Sequence, residues 1–199
     1  MKKSTVIILM FILTSITYTL IGDVELISII YLSSIAIAIS YGVLRGEINL
    51  KHISFLFLVI YIIEYSSTEI ITQNMELAGS SKFTIAVAHY TFQIIASTLA
   101  TIAFIFRVQI SRLISKSGKI SLTLFDGVAP WIYIYMTILL SLSLAEYVLY
   151  EKFNFTYLSF IYDYFKVLMF IAMSGVTSIL LSMVFCHEKD LKRQSTNVE

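Results

Sequence analysis

The sequence predicts an all-α, polytopic membrane bundle of six transmembrane helices with both termini in the cytoplasm. Composition is the first reason: 58% of the 199 residues are hydrophobic, 14% are charged and mean hydropathy is +0.85, well outside soluble norms. The second is that apolar residues gather in six stretches near the length, about 20 residues, that crosses hydrocarbon. The third is charge placement. Lys2, Lys3, Arg45, Lys51, Arg107, Arg112, Lys116, Lys119, Lys189, Lys192 and Arg193 fall on one side of such a bundle, and only Lys82 and Lys152 fall in loops on the other. Basic loops stay cytoplasmic, so the chain reads as N-in and C-in.

The first span, residues 5–21, follows Lys2 and Lys3 and reads as an uncleaved signal anchor, because its apolar core is long and lacks a small-x-small cleavage site. Gly22-Asp23-Val24-Glu25 leaves room only for a tight hairpin into the second span, residues 26–44. There Ser34, Ala38 and Gly42 recur every fourth position, the spacing through which helices approach closely in lipid. The third span, residues 52–71, meets Glu64 after a short apolar run. A crossing helix must therefore enclose Glu64 or turn it to a water-filled cavity, with Glu69 near the outer interface.

Ala96 and Ala100 repeat the small-residue spacing in the fourth span, residues 83–106. The long basic loop follows, in which Ile110, Leu113 and Ile114 share a helix face flanked by Arg107, Arg112 and Lys116. That pattern suits a short helix on an anionic lipid surface or a docking site for a partner. The alternation of Ile120, Leu122 and Leu124 is too short to separate helix from strand. Asp126 caps, Pro130 suits a first turn and Trp131 belongs at headgroup level, so together they open the fifth span, residues 128–150. The last span, residues 157–186, carries Ser174, Ser178 and Ser182 at fourfold spacing. At about 45 Å it exceeds the hydrocarbon, so it tilts and projects or begins along the outer surface. Residues 187–199 form a cytoplasmic tail whose Lys189, Lys192 and Arg193 join Arg107, Arg112, Lys116 and Lys119 as contacts for lipid or a partner.

Counting inward from the outer ends places Glu64, His89, Glu146, Asp163 and Lys166 at similar depth, with ten of the thirteen tyrosines in the same half. Glu64 and His89 are expected to pair as carboxylate and imidazole. A layer of acid, base and histidine suits proton handling, ion coordination or a pH-responsive gate, and equally a structural ion-pair cluster.

No zinc-protease, nucleophile-elbow or phosphate-loop motif occurs, so the chain reads as non-enzymatic, with no cofactor or metal and no direct nucleic-acid binding. Cys186 is the sole cysteine, which excludes an internal disulfide. Asn154-Phe155-Thr156 is a glycosylation sequon that matters only in a eukaryotic secretory host, whereas the Met-Lys-Lys-Ser start and small loops look bacterial.

In length, loop size and Ile/Ser/Tyr-rich spans the chain is similar to short multi-pass inner-membrane proteins of bacterial accessory gene islands. These include the membrane component of Kiwa-type phage-defence systems and immunity proteins against pore-forming bacteriocins. With no catalytic motif and no soluble domain but two basic cytoplasmic surfaces, the chain reads as an inner-membrane sensor or anchor that self-associates in lipid and docks a cytoplasmic effector, in keeping with that resemblance. A small proton or cation channel using the polar layer is the alternative, and toxin immunity a third reading.

Overall fold

Apolar runs set the helices and short polar signals set their ends. A computed structural model describes residues 3–115, 117–155 and 159–196. Its helices are α1 (Lys3–Ile21), α2 (Val24–Leu44), α3 (Ile48–Leu77), α4 (Lys82–Ile105), α5 (Arg107–Ile114), α6 (Ala129–Phe153) and α7 (Phe160–Thr196), and no strand occurs among the described residues. All but α5 are long and apolar enough to cross a membrane, which makes this a multi-pass membrane protein. Asp23 caps α2 by accepting the Leu26 N–H at 2.9 Å, and Ser81 caps α4 by accepting the Thr84 N–H at 3.2 Å. Gly22 and Gly79, with φ of +61° and +70°, close the turns that precede those caps.

Lys3 and Asp190 form an ion pair at 2.8 Å, so the two terminal segments share one end of the bundle, here the basic end. The turns after α1, α3 and α6 lie at the far end. Two helices outrun their expected spans. α3 continues beyond residue 71 to Leu77, and α7 continues beyond residue 186 to Thr196. Past Glu64, α3 satisfies its own polar side chains, with Thr72 donating to the Thr68 carbonyl at 2.9 Å and Gln73 to Glu69 at 3.1 Å. It therefore needs no apolar partner to remain helical there.

The expected α1–α2 hairpin is only a connection. α7 packs between the two, against α1 on one side and α2 on the other, and α6 covers it as well. The reason is the stripe of small residues. Ser174 Oγ lies 2.7 Å from Ser15 Oγ, Thr14 donates to the Ser174 carbonyl at 3.2 Å, and Thr177 Oγ1 meets Tyr18 Oη at 2.8 Å and Ser34 Oγ at 3.4 Å. Ser174, Ser178 and Ser182 are all buried, and a Cβ on Gly175 would stand 3.0 Å from Ile132 Cδ1. A helix small on several sides can take three neighbours at close range.

The other stripes seal neighbouring pairs within this chain. Ser34, Ala38 and Gly42 are buried, and a Cβ on Gly42 would stand 2.9 Å from the Lys51 backbone nitrogen. Buried Ala96 and Ala100 sit on α4, which packs on α6 and α3. Phe57, Phe104 and Tyr133 close the core between these helices, with ring centroids 4.5 Å apart for Phe57–Phe104 and 5.4 Å for Phe104–Tyr133.

Candidate functional site

At the basic end the loop between α4 and α6 is anchored by charge. Arg107, 1% exposed, begins α5 directly after α4. Its Nε donates to Asp126 Oδ1 at 2.6 Å, and one terminal nitrogen donates both to Asp126 Oδ2 and to the Ser121 carbonyl. The other donates to Asn49 Oδ1 at 3.2 Å, and that oxygen also accepts the Ser121 N–H at 3.1 Å. Thr123 gives Asp126 two further bonds, from its N–H at 2.6 Å and its hydroxyl at 2.8 Å, forming a capping box on the 3₁₀ turn Leu124–Gly127. A bidentate pair with its remaining atoms satisfied is the geometry in which a buried charge is tolerated. Arg107 is accordingly removed from the exposed basic surface expected of it, because it is the buried pin of the loop.

What remains exposed on the loop is apolar as much as basic. Leu113 is 87% and Leu122 78% exposed, and Trp131 beside them is 68% exposed. Arg112 stands among them and donates to the Ile120 carbonyl at 3.3 Å. Apolar tips with basic flanks fit the boundary between headgroups and acyl chains. Lys119 is exposed, and Lys116 lies outside the described residues, as do Lys2, Thr156 and Tyr157.

The second feature of this end is the last ten residues of α7, about 15 Å of helix beyond Cys186. They are held to the bundle by polar contacts. Lys3 binds Asp190, Arg45 binds Glu188 at 3.1 Å, and the Tyr41 hydroxyl donates to Glu188 at 2.6 Å. The Lys3 hydrogen bond holds the Asp190 carboxyl below the usual aspartate value, and the Tyr41 hydrogen bond together with the Arg45 charge does the same for Glu188. Tyr41 has spent its one proton on Glu188, so its oxygen accepts from His187 Nδ1 at 2.9 Å. That bonding leaves His187 Nε2 facing Glu47 at 3.8 Å, where only a protonated ring makes an ion pair. Beside this cluster opens a cleft of about 380 Å³ lined by Lys3, Glu47, Phe125, Cys186, His187 and Asp190. Lys192 and Arg193 point outward and are exposed, with Lys189 partly covered.

At the far end the structure divides the expected polar layer. Glu64 is partly buried, and its Oε1 is enclosed with no hydrogen-bond partner. The expected bond to His89 does not form, since His89 faces Tyr90 and a groove between α3 and α4. Equal depth does not make two side chains face each other. Glu146 reaches across to α7, accepting the Ile161 N–H at 3.1 Å and the Tyr162 N–H at 2.9 Å, so it caps that helix from outside. Asp163 accepts the Ser159 hydroxyl at 2.8 Å, and Lys166 lies 5.8 Å from the Phe170 ring centre. Both are exposed. No group of three metal-ligating side chains occurs among the described residues.

The Arg107–Asp126–Asn49 knot was not anticipated from the sequence. Its one signal was an acid and a base bracketing the same loop, each at the edge of an apolar span. No protein-family model, curated protein or solved structure matches this chain.

Proposed function

We propose that this is a non-enzymatic inner-membrane sensor or anchor of bacterial type whose basic end faces the cytoplasm and docks a soluble effector, as in a phage-defence assembly. The loop and the tail divide the work. The α5 loop, with Arg112 and Lys119 among exposed leucines, lies on anionic lipid, while the α7 extension presents Lys189, Lys192 and Arg193 to a protein. The observation that carries the reading is the α7 extension itself, a charged helix tied to the ends of α1 and α2 through Asp190 and Glu188. A helix projecting from the bilayer on fixed supports offers a preorganised surface at low entropic cost.

The test is photo-crosslinking from position 192 in intact cells, with and without Lys189→Gln and Arg193→Gln elsewhere in the tail. A discrete adduct with a soluble protein, lost on neutralisation while membrane insertion and melting are unchanged, is the expected outcome. Absence of any adduct, or adducts indifferent to neutralisation, contradicts it.

Glu64 favours a second reading as a small proton or cation channel, because a membrane carboxylate with an unpartnered oxygen is costly unless it is used. Liposome flux with Glu64→Gln as control separates the two. Flux abolished by that change supports a channel, and no flux leaves Glu64 a structural acid.

A further inference from the structure

A groove of about 490 Å³ runs between α3 and α4 at the far end, floored by Phe165 and Met169 of α7. Its walls are graded. Lys82 and Glu76 stand at the mouth, Ile85 and Ala86 one turn down, and His89 and Gln93 deeper along the same α4 stripe. The side chains of Glu76, Lys82, His89 and Gln93 make no hydrogen bond or ion pair with any described residue, although the mouth carries one charge of each sign. At the basic end, by contrast, Lys3, Arg45, Asp190 and Glu188 are paired with one another across helices. Glu76 and Lys82 are exposed at the mouth while His89 and Gln93 are partly buried within, so the groove presents donors and acceptors to an occupant from outside the chain.

Depth narrows the occupant. Counting along α3 from Lys51 at the basic interface, Thr72 lies about 31 Å away, one hydrocarbon thickness. Glu76 and Lys82 are therefore at headgroup level, and the His89–Gln93 turn is below it, beside apolar walls. A ligand that fills this gradient has an ammonium for Glu76, a phosphate for Lys82, ester oxygens below the phosphate on the His89 side, and an apolar tail for Phe165 and Met169.

We propose that this groove is a specific site for a phospholipid whose headgroup carries both a phosphate and a primary ammonium. The primary amine matters because it gives Glu76 hydrogen bonds that a quaternary amine lacks. The site does not depend on which face of the membrane the far end occupies.

The experiment titrates delipidated full-length protein in detergent with short-chain phosphatidylethanolamine, phosphatidylcholine and phosphatidylglycerol of matched chains, read by native mass spectrometry. Phosphatidylethanolamine is expected to bind about tenfold tighter than the other two, the size of one charge-assisted hydrogen bond. Glu76→Gln should remove that preference, and Lys82→Gln should weaken all three lipids. Neither variant loses an intramolecular partner, so melting should be unchanged and serves as the folding control. Equal affinity for the three headgroups overturns the proposal, as does unchanged preference in both variants. Free phosphoethanolamine should not compete at matched concentration, and full competition by it would overturn the lipid as occupant.

Discussion

Arg107 and Asp126 are nineteen residues apart in the chain and share one buried bidentate contact, so either substitution alone strands the other charge. Arg107→Ala or Asp126→Ala should cost about 3–5 kcal/mol, the penalty for an uncompensated buried charge. Arg107→Met combined with Asp126→Leu should recover much of it. Trp131, five positions from Asp126 and the chain's only tryptophan, gives a local fluorescence readout of unfolding. The Lys3–Asp190 pair is solvent-exposed and behaves differently. Its folded carboxyl is depressed, so its contribution is present above the ordinary aspartate value and disappears only as pH falls through the lowered one. The difference in amide exchange of residues 187–196 between wild type and Lys3→Gln should thus be constant from about pH 5 to 8, persist to about the ordinary aspartate value near pH 4, and be lost only at lower pH. At this scale the sequence revealed residue types and depths but not facings. Glu64 and His89 match in depth and still point apart, whereas the Arg107–Asp126 pairing depends on a loop path that hydropathy does not encode.

Helix identity was far more legible than helix adjacency. Six spans follow from apolar length, and Asp23, Ser81 and Pro130 mark helix starts as their chemistry predicts. The insertion of α7 between α1 and α2 was not legible from connection length, although Ser174, Ser178 and Ser182 pointed to a helix that packs closely. Ser178→Leu should therefore lower the melting temperature strongly, with overpacking costing about 1–3 kcal/mol or more. Ser33→Leu, on the exposed face of α2, should leave it unchanged. Gly42 makes the same argument for α2 and α3. A methyl there gains about 1 kcal/mol of helix propensity but meets the Lys51 backbone, which cannot rotate away, so Gly42→Ala should be net destabilising in a thermal melt.

For the whole molecule, the two ends differ in construction. The far end holds a graded groove and an enclosed acid, and the basic end holds a pinned loop, a polar cleft and a projecting helix. The Lys3–Asp190 pair ties both terminal segments together at the basic end, and the proposed docking requires that this end meet the cytosol. Membrane-impermeant maleimide labelling in intact cells tests this most directly, using Ser80→Cys and Gln194→Cys in a Cys186→Ser background. Position 80 should label from outside, and position 194 should label only after the membrane is permeabilised. Labelling of position 194 in sealed cells, with position 80 protected, would contradict the account.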